Sequence, residues 1–445
     1  MHSDLPRVSL LQVIAAVLFS FGIVYLNFYV SQSSFISILS CHTVAMVGYG
    51  YLVYQIYRGA LSVTMGIILG LVLRILLLFA FPQLSDDIYR FLWDGHLLHM
   101  GISPLELIPS ELISDPSLAD PYLASLYDQL NSKSYFTVYP PLSQLVFYCS
   151  TLSSEWSPAF SATVMKLFLL GSDGLVLVGL MNLLRRMKKP VFWALIYFLN
   201  PLLITETAGQ LHFEGMMVMF LALGFWAMMG RRYFIAGCLF AGSVGVKLLP
   251  LMFLPLVFKF LWDKGLVRFG LGLGVTLLIL FVPFFFSLDL SHFLDSLNLY
   301  FQSFEYNASI YFVLRKLGYW IYGYNQIALL GPLLGITTLV YILYLTYRLP
   351  GNDANKNFEK LIAGCFHAFA CFLFFATTVH PWYLIMLLFL SSILGKRIWV
   401  VVWSGVVVLS YSTYVTPDFK QNYSLIALEY LIVSVVIIYS MIQRR

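Results

Sequence analysis

Apolar runs long enough to cross a bilayer recur from one end of the chain to the other. Val8–Val30, Phe35–Tyr57, Leu61–Pro82, Phe269–Phe286, Tyr319–Tyr347, Phe358–Val379, Ile398–Tyr414 and Tyr423–Ile442 are the clearest. Each is predicted to be a membrane-crossing helix of one polytopic helical domain. Between them lie less regular segments. Tyr139–Ser154 is short for a span, with a break at Glu155-Trp156-Ser157-Pro158, and is predicted to be partial or re-entrant. Ala159–Leu184 is long, and Lys247-Leu248-Leu249-Pro250 predicts a turn between two apolar stretches. The fold class that follows is all-α, a polytopic helical membrane protein of about 12–14 spans. Residues 1–445 form a single transmembrane domain, with a first outer loop over 83–139, carrying short interfacial helices, and a second over 288–317.

Composition agrees: 60% of residues are hydrophobic and 11% charged, far from the soluble average. The net charge of +5 matters less than its placement. Arg58, Arg185 to Lys189, Arg231-Arg232, Lys259 to Arg268, Arg348 to Lys360, Lys396-Arg397 and Arg444-Arg445 occupy short connections or the chain end. The positive-inside rule assigns these to the cytoplasm, together with the N-terminus. The 83–139 segment instead carries Asp86, Asp87, Asp94, Glu106, Glu111, Asp115, Asp120 and Asp128 against Arg90 and Lys133, so it is expected on the outer side. The first apolar run is too long for a signal-peptide core and is expected to be retained as a helix. Cys41, Cys149, Cys238, Cys365 and Cys371 all fall in apolar segments without metal-ligand spacing and are expected to be packing residues. Nothing in the charge pattern suggests nucleic-acid binding.

With that orientation several polar clusters fall on one face. Ser85-Asp86-Asp87 opens the first outer loop and Tyr139-Pro140-Pro141 closes it. Thr205 to Glu214, Lys247, the Phe-, Tyr- and Asn-rich stretch from Asp289 to Arg315, and Thr377 to Tyr383 fall on the same side. Acids, histidines, a lysine and aromatics converging from distant positions have the make-up of an active site. Plainer readings exist for each. Asp86 and Asp87 can serve as the N-cap and first-turn acid of a helix over Ile88–Met100, although a cap needs only one such residue. Asp87, Arg90 and Asp94 share one helical face. His212 and Glu214 can cap a connection, and His380 precedes Pro381 where a helix can begin. Lys247 in an apolar setting is costly and therefore a functional candidate. Arg74, Lys166 and Asp173 lie within spans, and Lys166 with Asp173, two turns apart, is expected to be internal pairing.

Ser85-Asp86-Asp87-Ile88-Tyr89-Arg90-Phe91-Leu92-Trp93-Asp94-Gly95, followed by Gly101-Ile102-Ser103-Pro104-Leu105, resembles the first outer loop of bacterial polyprenol-phosphate-dependent mannosyltransferases. These belong to the GT-C superfamily of integral membrane glycosyltransferases. Tyr139-Pro140-Pro141-Leu142, Asn200-Pro201-Leu202-Leu203 with Gly209 to Gly215, Gly245-Val246-Lys247 with Pro250-Leu251, and His380-Pro381-Trp382-Tyr383-Leu384 resemble later elements of that family, in order. Ser103 and Leu105 replace the usual Asn and Tyr, Glu214 replaces an Asp, and His96 stands where Arg is common.

The resemblance implies transfer of a hexose, mannose foremost, from a polyprenyl-phosphate donor to a hydroxyl on a glycan, glycolipid or protein acceptor, with inversion, at the outer face of a bacterial inner membrane. Asp86 is the expected base, with Asp87 able to exchange roles. Lys247, then Arg90 and His380, are expected to meet the departing lipid phosphate. Tyr139, His212, Glu214, Trp93, Asp94 and Tyr383 are expected to position sugar or acceptor. Asp86 and Asp87 could share a divalent metal, Mg or Mn, although the sequence does not require one. The alternative is a transporter or flippase using Arg74, Lys166 and Asp173 as an intramembrane path. No repeated halves support it. A transferase with a pyrophosphate-linked oligosaccharide donor is the second alternative.

Overall fold

A computed structural model describes residues 9–443 except 119, 154–155, 264, 286–289 and 351–353. Val8, Ser154, Glu155, Lys264, Phe286, Asp289, Arg444 and Arg445, weighed above, lie outside the described residues. The described chain is helical, and its only strand-like pairing is an isolated parallel bridge between Tyr306 and Thr378. The helices gather into two compact units, each assembled from separate stretches of sequence.

The first unit comprises Met1–Leu84, Asp173–Gly215 and His380–Arg445. It opens on the Leu10–Tyr29 helix, whose start is set by a capping box between Ser9 and Gln12. This helix packs closely on Phe35–Tyr57 because both present glycine at the crossing. A Cβ on Gly22 would lie 2.5 Å from the Cys41 carbonyl oxygen, and one on Gly48 would lie 2.5 Å from that of Ala15. Ser62 caps Val63–Leu77, which is only 15 residues long, or about 22 Å. Inside this unit Arg74 pairs with Asp173 at 2.6 Å, both essentially buried. Arg74 also donates to the Gly70 and Phe198 carbonyls, and Thr207 donates to Asp173 at 3.1 Å. Asp173 thus finds Arg74 on another helix, in place of the expected Lys166. Seven residues along one helix amount to about 10 Å, too far for a direct ion pair.

The second unit comprises Ser85–Ser172 and Met216–Val379. Its tightest pair is Tyr233–Val246 with Leu266–Phe285, again through glycine. A Cβ on Gly237 would lie 2.1 Å from the Phe269 carbonyl oxygen, and one on Gly272 would lie 2.1 Å from that of Phe234. The expected partial helix is a ten-residue segment, Pro141–Ser150. Val246 ends its helix before Lys247, and a 3-10 turn over Leu249–Phe253 leads into Leu254–Leu261. The run Tyr319–Tyr347 is two helices, not one. Gly323, at φ 82°, ends Ile310–Tyr322 in the left-handed region, and Ile327–Arg348 begins anew.

Eight helices among the described residues are long and apolar enough to cross a membrane, or nine if Pro201–Gly209 and Glu214–Met229, bent by 111°, form one broken span. The expected number was higher. Val63–Leu77, Tyr233–Val246, Leu249–Leu261 and Pro381–Leu394 account for the difference: they are apolar but 10–17 residues long.

Candidate active site

The chain enters the Ser85-Asp86-Asp87 segment from a fixed point. The Gln210 side-chain oxygen accepts from the backbone N–H groups of Gln83 and Leu84 at 3.0 and 2.8 Å. Gln32 binds the same stretch, through its N–H to the Gln83 carbonyl and its side chain to the Leu84 carbonyl.

The two aspartates then part company. Asp86 stands at the N-cap of Asp87–His99 but makes no side-chain capping bond. Ser85 Oγ does that work, accepting from the Asp87 N–H at 3.3 Å. The plainer expectation, Asp86 as a simple cap, therefore has no hydrogen bond behind it. Asp87 is tied down, with Asn131 donating to Oδ1 at 3.2 Å and the Tyr139 hydroxyl donating to Oδ2 at 3.2 Å. The Asp86 side chain is exposed. The surrounding protein still strips some of its water, and this, followed by the Asp87 charge, raises it above the ordinary carboxylate range.

Beneath this pair lies a buried hub. Asp94 is fully buried. Its Oδ1 accepts from Arg90 Nε at 2.7 Å, and its Oδ2 accepts from Thr137 and Gln144 at 2.6 and 2.8 Å. Arg90 Nη1 donates onward to the Ser132 and Tyr135 carbonyls. One helix turn is thereby fastened to the far end of the loop. Gly95 allows this helix to approach Pro141–Ser150, since a Cβ there would lie 2.6 Å from the Phe147 carbonyl oxygen. Phe91 stacks on Phe147 at 4.5 Å and meets the edge of Tyr139 at 5.0 Å.

These contacts bear on three expectations. Arg90 uses its guanidinium on Asp94 and two carbonyls, so it braces the loop. Trp93 and Asp94 have no exposed surface on which to meet a sugar. Trp93 packs near Tyr127 at 6.2 Å. Leu105, where the resemblance expects Tyr, is also fully buried, and its carbonyl lies 2.9 Å from His292 Nδ1. His292 stacks on Phe136 at 4.2 Å, which holds part of the second loop against the first. Lys247 is half-buried in extended backbone just past the end of Tyr233–Val246. A cation is favoured at such a helix C-terminus.

Asp86, Asp87, Arg90, Trp93, Asp94, Tyr139 and Lys247 belong to the second unit, and His212, Glu214, His380 and Tyr383 to the first. In the first unit Thr205–Gly209 winds as a π-helical turn, a geometry often found at functional sites. Leu211 follows at φ 66°, strained for a residue with a side chain. The result folds His212 back on Glu206: His212 Nδ1 lies 2.8 Å from one Glu206 oxygen, and the Tyr411 hydroxyl donates to the other at 3.0 Å. The His212 ring stacks on Trp382 at 3.6 Å, and Trp382 stacks on His380 at 4.3 Å. His212 and Glu214 are buried, so the sugar-positioning expectation for them becomes indirect. His380, Trp382 and Tyr383 keep part of their surface exposed. Sequence reasoning passed over Glu206 and Tyr411. Only the acid six residues before a histidine hinted at the first, and nothing local marks the second.

No group of three or more His, Cys, Asp or Glu among the described residues is placed to hold a metal ion. The model of one protein family, described as Alpha-(1->6)-mannopyranosyltransferase, N-terminal domain, matches residues 20–263. That stretch includes Asp86, Tyr139, Glu206, His212 and Lys247. No curated protein matches the chain.

Proposed function

The chain belongs to the alpha-(1->6)-mannopyranosyltransferase family, and on that premise we propose that it transfers mannose from a polyprenyl-phosphate donor to an acceptor hydroxyl at the outer membrane face, by a single inverting displacement. The observation that carries the proposal is the division of labour between the paired acids. Asp87 is anchored by Asn131 and Tyr139, while Asp86 is exposed and raised above the usual carboxylate range. An exposed carboxylate held beside a fixed one suits a general base.

Asp86 removes the acceptor hydroxyl proton as that oxygen bonds to the anomeric carbon. The bond from that carbon to the lipid-phosphate oxygen breaks on the opposite side, and the phosphate leaves with the bonding pair. The oxocarbenium character that develops is favoured by nearby carboxylate charge. Lys247 is the cation we assign to the departing phosphate. His380, half-buried, is the second candidate. No metal is assigned a role in these steps.

The flippase alternative needs free intramembrane charges. Arg74 and Asp173 neutralise each other at 2.6 Å and are further held by backbone carbonyls and Thr207. This favours a structural role for them.

The test uses purified protein in liposomes with polyprenyl-phosphate mannose. Asp86→Asn should lower transfer by roughly 100-fold or more, the usual loss for a general base. Wild-type turnover by a folded Asp86→Asn protein would remove the base assignment. Lys247→Ala should raise the donor concentration needed for half-maximal rate, and an unchanged donor dependence would count against it.

A further inference from the structure

The His212, Trp382 and His380 rings form a pile that no single stretch of sequence encodes. His212 stacks on the indole at 3.6 Å and 18°, and His380 at 4.3 Å and 4°. Two rings so near one indole centre and nearly parallel to it would overlap if they shared a face. They therefore cover opposite faces, and Trp382 is the filling of a sandwich. Its faces are closed to a stacking sugar, so its work is mechanical. Tyr383 then meets the His380 ring edge-on, at 5.4 Å and 81°.

The inner end of the pile is fixed by a hydrogen bond. Glu206 is 1% exposed. With Glu206 accepting, the 2.8 Å contact places the proton on His212 Nδ1. That sets the ring's orientation and its tautomer. Tyr411 donates to the second Glu206 oxygen, preventing the carboxylate from turning away. The π-helical turn and the strained Leu211 bring Glu206 and His212 together, and the His212 N–H donates to the Glu206 carbonyl at 2.9 Å. Backbone strain of this kind persists only when its surroundings enforce it.

We infer that Glu206 is a positioning residue, acting through His212 and Trp382 to hold the half-buried His380 ring in a fixed attitude toward substrate. The inference rests on the mannosyl-transfer proposal for its activity readout. It also has a readout that does not depend on activity.

Glu206→Gln keeps the size and shape of the side chain but replaces one acceptor oxygen by a donor. Packing is preserved, while the demand on His212 or Tyr411 is reversed. Thermal stability in detergent should stay close to wild type, and kcat should fall by about 10–100-fold, the range known for partners that orient metal-ligating histidines. His212→Asn should fall similarly, and the double variant should be no worse than His212→Asn alone, because both break one chain of contacts. Histidine 15N spectra of the wild-type protein, assigned by difference with His212→Asn, should show His212 protonated on Nδ1. Glu206→Gln should change that signal. Wild-type turnover by Glu206→Gln, or a bare His212 Nδ1 in the wild-type protein, would overturn the inference. If Asp86→Asn remains active while the His212 signal is as described, the transfer mechanism fails and this assignment stands. Should Glu206→Gln not fold, Tyr411→Phe loosens the same carboxylate without removing it. It should lower kcat less than His212→Asn does, and full activity with an unchanged His212 signal would count against the inference.

Discussion

At the scale of single residues, the paired acids give a pH signature with a definite sign. Asp86 must be deprotonated to act as base, and it is raised above the ordinary carboxylate range. Transfer should therefore fail on the acid side at a pH above that at which a free aspartate protonates. Desolvation by the surrounding protein is the larger cause and the Asp87 charge the smaller. Asp87→Asn removes only the second, so the acid limb of the kcat/KM profile should move part of the way to lower pH, whatever happens to its height. A limb that stays in place, or moves upward, would show that another group is being titrated. The Asp94 hub makes a different demand. Asp94→Asn leaves a buried Arg90 without its countercharge, and breaking such a pair typically costs about 3–5 kcal/mol. A drop in unfolding temperature large enough to report that loss is expected, with activity falling alongside it because the loop loses its fastening. The sequence identified Arg90 and Asp94 as charges on one face. It could not show that they are buried against Ser132, Tyr135, Thr137 and Gln144, because those partners lie some forty or more residues away.

At the scale of elements, legibility depended on whether a local signal decided the outcome. The apolar runs Phe35–Tyr57 and Tyr423–Ile442 are helices with those same bounds in the structure. Where apolar character continued through a break, hydropathy misled. Tyr319–Tyr347 reads as one span, yet the left-handed Gly323 divides it. Thr205–Gly209 and the bend before Glu214 are set by tertiary contacts, including those of Thr207 and Gln210, that no window of sequence contains. Helix pairing was equally hidden. Gly237 and Gly272 looked like ordinary residues of apolar helices, but each faces a carbonyl of the other helix at a separation that admits no Cβ. Gly237→Ala should force Tyr233–Val246 and Leu266–Phe285 apart and lower stability by about 1–3 kcal/mol, the usual range for overpacking. Gly270→Ala, in the same helix pair with open space at its Cβ position, is the control and should be neutral or slightly stabilising. Equal unfolding temperatures for the two variants in the same detergent would mean that the close approach contributes nothing.

At the scale of the whole molecule, the chain belongs to a mannosyltransferase family, and eight of its helices among the described residues are long and apolar enough to cross a membrane. Three apolar helices precede Asp86: Leu10–Tyr29, Phe35–Tyr57 and Val63–Leu77. If all three cross, the Ser85–Tyr139 segment and the start of the chain lie on opposite sides, and the basic connections mark the cytoplasmic one. The third is the weak link, since 15 residues span about 22 Å of a hydrocarbon core of about 30 Å. Leu78 to Phe81 continue it with further apolar residues, so the crossing is feasible with local thinning of the bilayer. Single cysteines placed at exposed positions in a background lacking the five native cysteines decide the matter. Ser114 and Ser125 are exposed in the acidic loop, and Gly59 is exposed in the connection before Val63–Leu77. In intact cells a membrane-impermeant maleimide should label Ser114→Cys and Ser125→Cys, and should reach Gly59→Cys only after the membrane is opened. The reverse pattern would put Asp86 on the cytoplasmic side, where a nucleotide-linked sugar becomes the more natural donor. Labelling of all three from outside would mean that Val63–Leu77 does not cross, and the course of every later span would have to be redrawn.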